Sequence, residues 1–296
     1  MKRLLLWGLM ISVLVCSNTL WAQGFKYPIP PDSIRDRQGR IDYMAENFWN
    51  SETISDTTNF KSPKLLLDYL YLLKQQDNNA KSIKAFISLA AKSENTFGTI
   101  LYWLDNILYD SSSSHYDESL YLKLMNAVMA SDADSVMKLI PTERINILQK
   151  NQIGQQANDF IFVDKAGLQH RLHDLDAPLI LLIFNNPDCS LCHQAEELIE
   201  DDDVIKKLYR AGIITIVAIT PDADYNEWMR HQYPNNWIVG YDYEKAIYSQ
   251  RIYDIQRLPC MYLLDRGKNV LVKEADYERI HKYLSADSRA ITKTSE

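Results

Sequence analysis

Six apolar residues in a row, Leu179-Ile180-Leu181-Leu182-Ile183-Phe184, run directly into Asn185-Asn186-Pro187-Asp188-Cys189-Ser190-Leu191-Cys192. The apolar run reads as a buried strand. Behind the cysteines, Gln194-Ala195-Glu196-Glu197-Leu198-Ile199 reads as a helix. The cysteine pair therefore sits where a strand turns into a helix. There the unpaired backbone N–H groups of the first helical turn point at the first sulfur and favour its thiolate, the attacking form in disulfide exchange. The spacing brings the second cysteine round one turn later, where it can close a disulfide with the first. Half a zinc site has the same spacing, but zinc needs two further ligands. No second Cys-x-x-Cys exists, and His170, His173 and His193 do not fall into a paired finger spacing. A redox pair is the favoured reading; an inert structural disulfide and a metal site are the others.

At 296 residues and 46% hydrophobic composition the chain has material for about two domains. The formal net charge of −7, with no basic stripe, gives no sign of a nucleic-acid partner. The acidic run Glu200-Asp201-Asp202-Asp203 reads as a solvated helix end. The N-terminus reads as a secretory signal over residues 1–22: Lys2 and Arg3 form the positive region, Leu4 to Val15 the apolar one, and Leu20-Trp21-Ala22 the cleavage site. The apolar region is too short to span a bilayer, and no later run is long enough for a membrane helix. The mature protein is thus expected to be exported, most simply to the periplasm, with lipid anchoring at Cys16 as the alternative. Removing the signal leaves Cys189, Cys192 and Cys260, which suits a catalytic pair plus one extra thiol better than a disulfide-stapled scaffold.

Residues 23–150 are expected to be an all-helical domain. Pro28, Pro30 and Pro31 mark an extended lead-in, and from Asp36 to about Leu148 apolar residues recur at helical spacing, as in Leu65, Leu66, Tyr69, Leu70 and Leu73. Breaks fall at Asp77-Asn78-Asn79 and Ser111 to Ser114. The aromatics Trp49, Tyr69, Tyr71, Tyr102, Trp103 and Tyr109 read as core, with a groove for an extended polypeptide as the other reading. Gly154 marks a change of period. Asn151, Gln152, Gln155 and Gln156 make a polar joint, and the two parts are expected to fold separately. Over 154–288 the order is a hairpin (Phe160 to Leu172), the Leu179 to Phe184 strand, a helix to about Tyr209, a strand over Ile213 to Ile219, helices from Asp224 and over Glu244 to Tyr253, a strand pair across Asp265 to Lys268, and a closing helix over Tyr277 to Leu284. That is an α/β sheet of mixed direction, followed by a polar tail at 289–296.

With Cys-x-x-Cys after its first central strand, this order resembles a thioredoxin fold: a mixed sheet flanked by helices. Ala157-Asn158-Asp159-Phe160, Gly167 and Leu175 are similar to the entry of the TlpA/ResA class of exported thiol–disulfide oxidoreductases. Leu258-Pro259 before Cys260-Met261-Tyr262-Leu263-Leu264-Asp265 resembles the cis-proline loop and its following strand. Trp228, Trp237, Gly240 and Asp242 resemble a Bacteroidota subgroup in which such a domain follows a helical domain of unknown function; Tyr43, Phe48-Trp49 and Leu108-Tyr109-Asp110 to Glu118-Leu120-Tyr121 resemble that helical part. The resemblance implies that Cys189 is the exposed attacking cysteine, Cys192 the buried resolving one and Pro259 a cis-proline facing them, with the Leu258 backbone offered to a substrate strand. It implies a disulfide-containing protein substrate, an electron-donating redox protein, no cofactor and no metal.

The chain departs from the family at four points. Ile183 stands where a buried acid is common, so Cys192 must lose its proton to another group or to water. Ser190-Leu191 fills the motif. Asp188, in place of a tryptophan, opposes the Cys189 thiolate by its charge. Cys260 follows the cis-proline and reads as a quiet strand thiol, or else a third redox partner. His193 would favour a thiolate if charged, and otherwise is a solvated helix residue. The combined expectation is a thiol–disulfide oxidoreductase of the cell envelope, on the reductase side because the Pro-His pair of strong oxidants is missing. Its rivals are a polypeptide-binding module with a structural cysteine pair, and a thiol peroxidase.

Overall fold

The computed structural model describes residues 25–291. The secretory signal read over 1–22, Cys16 with it, and the end of the tail lie outside the described residues.

The first half is helical. Asp36 caps α1 (Arg37–Glu46) by accepting the Gly39 N–H at 2.6 Å. A reciprocal Asn50–Thr53 box caps α2 (Ser51–Ser55). Then come α3 (Lys64–Gln75), α4 (Ala80–Ala90) and α5 (Glu94–Leu104), which runs into a π-helical turn over Asp105–Tyr109. Asp117 caps α6 (Glu118–Met129), and α7 is Leu139–Leu148. On α3, Leu66, Tyr69, Leu70 and Leu73 are buried, one stripe at helical spacing. Trp49 stacks on Phe60 at 5.2 Å between ring centres, and Tyr69 packs on Phe86 at 4.8 Å. The reading of the aromatics as core fails for Tyr71 and Tyr102, which are 64% and 59% exposed. Tyr71 lies off the buried stripe of its helix.

The second half is a seven-stranded sheet: β1 (Ile161–Val163), β2 (Gln169–Arg171), β3 (Leu179–Phe184), β4 (Ile214–Thr220), β5 (Ile238–Tyr241), β6 (Cys260–Asp265) and β7 (Val270–Ala275), in the order β2-β1-β5-β4-β3-β6-β7. β3 is central, parallel to β4 and antiparallel to β6. Alternation divides its side chains: Leu181 and Ile183 join one buried cluster, and Ile180, Leu182 and Phe184 the other. The first cluster is covered by α8 (Ser190–Asp201), α9 (Asp203–Arg210) and α12 (Tyr277–Ile291), through Ala195, Ile205 and Ile280 among others; α10 (Tyr225–Arg230) and α11 (Ala246–Ser249) complete the set. This is a thioredoxin fold, behind an all-helical part.

Four sequence expectations change. The helix expected to reach Tyr209 is two, because Asp202 takes extended backbone (φ −72°, ψ 114°) and caps α9 through the Val204 and Ile205 N–H groups. The acidic run is therefore not all solvated: Asp202 is 5% exposed and also accepts from Tyr277 Oη at 3.0 Å. The helix expected over Glu244 to Tyr253 shrinks to α11: its cap residue Lys245 takes left-handed backbone (φ 53°), and the Ala246 and Ile247 N–H groups donate to the Asp242 carboxylate. The closing helix runs on to Ile291, into the segment read as tail.

The joint between the halves is held down rather than loose. The Gly154 N–H donates to Val270 O at 2.8 Å and the Val270 N–H to Gln155 O at 2.9 Å, so the segment lies along the edge strand β7. Asn151, 4% exposed, donates from its side chain to Ile252 O. Lys273 of β7, 6% exposed, pairs with Glu118 of α6 at 3.0 Å and donates to Leu148 O at 3.2 Å.

Candidate active site

Cys189 is the cap residue of α8, in extended backbone (φ −93°, ψ 109°), so its side chain projects back over the first turn. Its Sγ accepts the Cys192 N–H at 3.2 Å. That contact is a helix-terminal donor aimed at sulfur, the arrangement that stabilises a thiolate. On the other side Cys189 Sγ lies 3.8 Å from the carbonyl oxygen of Leu258. The Leu258–Pro259 peptide is cis, and both residues are half-buried. Cys189 itself is half-exposed, whereas Cys192, one turn into α8, is 1% exposed. Burial pushes the Cys192 thiol far up, and the adjacent Cys189 adds to the effect. Leu191, between them, is 60% exposed and makes the surface beside Cys189 apolar. Chemically, this is one accessible sulfur with a stabilising donor, one shielded sulfur behind it, and an open backbone carbonyl alongside.

The remaining candidates are less central. Asp188 is exposed; its backbone N–H donates to Asn186 Oδ1 at 2.9 Å, which closes the turn into the helix. His193 is exposed and faces a different partner: its ring stacks on His231 with centres 5.0 Å apart and 6° between planes. Cys260, 5% exposed, belongs to the core cluster with Phe184 and Tyr262, and burial pushes its thiol up. Among the described residues no group of His, Cys, Asp and Glu has the arrangement to hold a metal ion.

A polar network beside Cys192 has no counterpart in the sequence reading. Glu196 follows Cys192 by four residues, so both lie on one face of α8. The Glu196 charge raises the Cys192 thiol further. Its carboxylate accepts from Asn185 Nδ2 at 3.0 Å and meets His231 Nε2 at 3.2 Å. Asn185 Oδ1 in turn accepts from Thr220 Oγ1 at 3.2 Å and Tyr233 Oη at 3.3 Å. Glu196, His193 and His231 line a cleft of ≈ 1220 Å³ open to solvent. The spacing of Glu196 from Cys192 is a signal available in the sequence; His231 and Tyr233 come from beyond β4 and carry none.

Comparison with known proteins gives a consistent placement. A family model described as a domain of unknown function (DUF5106) matches residues 12–151. A thioredoxin-like protein from Bacteroides caccae is similar over 89% of this chain and 99% of its own, at 28% identity and a TM-score of 0.75. The C-terminal domain of an uncharacterized protein from Bacteroides fragilis is 32% identical over 46% of this chain and 98% of its own, with a TM-score of 0.45. A conserved protein of unknown function from the same species is 33% identical over 45% of this chain and 98% of its own, with a TM-score of 0.43. No curated protein matches the chain.

Proposed function

We propose that this chain, which belongs to the thioredoxin-like proteins that carry a helical domain ahead of the redox fold, is an exported thiol–disulfide oxidoreductase acting on protein disulfides. The observation that carries the reading is the contrast at the α8 N-terminus: Cys189 half-exposed, holding a helical N–H at 3.2 Å, with Cys192 1% exposed one turn behind.

The Cys189 thiolate attacks one sulfur of the partner's disulfide. That S–S bond breaks, the second partner sulfur leaves as a thiolate and takes a proton, and a mixed disulfide forms at Cys189. Cys192 then gives its proton to the Glu196 carboxylate, which His231 and Asn185 hold in place. The Cys192 thiolate attacks Cys189, the Cys189–Cys192 bond forms, and the partner leaves as a dithiol. Two electrons have passed from the pair to the partner, and a redox-protein dithiol restores them to the pair by the reverse sequence. The Leu258 carbonyl pairs with the partner's backbone and keeps its disulfide in line, while the exposed Leu191 gives that partner an apolar neighbour. The absence of a Pro-His pair between the cysteines and the charge of Asp188 favour the reductase direction. The secretory signal read over residues 1–22 supports action in the periplasm.

The test is a trap. In Cys192→Ser the mixed disulfide cannot resolve, so polypeptides should accumulate on Cys189 and be released by reductant; in wild type under reducing conditions, Cys189 should alkylate before Cys192. A Cys192→Ser protein that stays free of adducts in its own envelope would leave the pair as a structural disulfide.

A further inference from the structure

We infer that the helical domain carries a second part of the substrate site: an apolar groove that takes a side chain of the disulfide partner's polypeptide, a few residues from its cysteine. The inference rests on the oxidoreductase reading above.

The groove has ≈ 680 Å³ and runs between the π-helical turn and the start of α7. Two features make it more than a surface irregularity. First, α7 begins with apolar residues on its outer side. Ile145, Ile147 and Leu148 face the core, yet Leu139 and Ile140 are 66% and 55% exposed, and Val136 just before them is 68% exposed. Clustered exposed apolar side chains at a concave surface mark a binding site, and among the described residues nothing covers these. Tyr102 forms the opposite rim, 59% exposed. Secondly, the π-helical turn widens the backbone at Asp105–Tyr109, where the Asp110 N–H returns to Asp105 O at 2.9 Å. Such turns are frequent at functional sites. At the groove's floor Arg144 lies 4.1 Å over the Tyr109 ring and pairs with Asp105 at 3.2 Å, leaving a flat apolar-and-cationic base. A concave apolar site with a few convergent polar groups is what ligand recognition uses.

Continuity with the cysteine pair selects the occupant. Gln256 lines the groove and accepts the Ser111 N–H at 3.0 Å, tying the helical domain to the loop that carries Leu258. Tyr109, another wall residue, donates to Asp254 at 2.9 Å in the same loop. Leu258 is two positions on from Gln256, about 7 Å at most, and the Leu258 carbonyl is 3.8 Å from Cys189 Sγ. A strand laid along Leu258 with its cysteine at Cys189 therefore enters the groove about three to six residues away, at about 3.3 Å per residue. The occupant is an extended polypeptide with a large apolar side chain at that distance from its disulfide.

The experiment uses the full chain, reduced, and cysteine peptides held as mixed disulfides with glutathione. Each peptide is otherwise serine and glycine with one leucine, moved through positions two to seven on either side of the cysteine. Glutathione release gives the rate, and the rate with oxidised glutathione is the reference. Leucine in one window on one side should raise the peptide-to-reference ratio about tenfold, a fraction of the worth of burying one leucine. Ile140→Glu and Val136→Glu should each lower that ratio toward the leucine-free value, while Leu168→Glu, exposed on the far hairpin, should keep it. A ratio that ignores leucine position, or that survives both groove variants, overturns the groove. A dimer that Ile140→Glu splits without changing the ratio assigns the groove to a second copy and equally overturns it. Inertness toward oxidised glutathione itself would instead bring down the oxidoreductase reading, and the groove with it.

Discussion

Only two residues separate Cys189 from Cys192, yet one sulfur is reachable and the other 1% exposed, because a cap residue projects outward and the residue three further on turns inward. Charges near the pair act through different media. Asp188 is exposed, so its repulsion of a Cys189 thiolate is damped by water and salt. Asp188→Asn should raise the rate of Cys189 alkylation at neutral pH and low salt only about two- to fivefold, as for an exposed charge pair; a rate unaltered at low salt would dismiss Asp188 as a modulator. Glu196 works from a sheltered position, with its side chain 12% exposed. Glu196→Gln should leave formation of the mixed disulfide intact but slow its resolution by about ten- to a hundredfold, within the range for positioned proton acceptors. Quenched-flow alkylation separates the steps, and slowing of the first alone would remove Glu196 from the mechanism. His193, exposed on the same helix, lays its ring on that of His231.

The strands and helices are set by a few close approaches. β5 can lie against β1 and β4 because residue 240 has no side chain. A Cβ there would stand 2.7 Å from Ile219 Cδ1 and press on the Phe162 ring. Gly240→Ala should therefore destabilise the protein by about 1–3 kcal/mol, the usual cost of overpacking, as read by urea denaturation, while Cys189 alkylation in the folded protein stays unchanged. A neutral effect would mean that Phe162 has room the packing does not suggest. Asp202 is a comparable control point between α8 and α9. Its buried carboxylate caps one helix and holds His281 of α12 at 2.6 Å, and these partners keep it below the usual carboxylate range against the opposing effect of burial.

The two halves meet through polar contacts, of which those of Lys273 and Tyr109 are buried and the Glu143–Arg251 pair is half-exposed. Lys273 reaches across to Glu118, Tyr109 donates to Asp254, and Glu143 pairs with Arg251. Glu274, next to Lys273, is pushed up to about 7, first by burial and then by Asp254 and Glu118, against the pull of Lys273. The folded chain thus holds this proton more tightly than the unfolded chain does. The group's contribution to stability is full below its ordinary 4.5 and is lost as pH rises through about 7. Glu274→Gln should flatten that fall, gaining on wild type by on the order of 1–3 kcal/mol between pH 5 and pH 8. Urea denaturation at the two pH values measures it; parallel behaviour of variant and wild type would place the titration elsewhere. Since this cluster lies against the loop that carries Leu258 and Pro259, the helical half is part of what positions that loop beside Cys189.

The strand–helix setting of Cys189 and Cys192, the change from helical to alternating period after Leu148, and the proline before the Cys260 strand were all legible in the chain, because each is a local pattern of a few consecutive residues. Element ends were less so: Asp202 looks like one more acid in a run until Tyr277 and His281 are brought to it. His231, Tyr233 and Asp254 act through Glu196, Asn185 and Tyr109, 35, 48 and 145 positions distant, and no local pattern announces such a partner. The joint at Asn151 to Gln156 reads as a polar linker by composition, and only the backbone of β7 laid beside it makes it part of the sheet edge. Local chemistry thus set which residues could react, and long-range packing decided which of them are shielded, what takes their protons and what surface a partner meets.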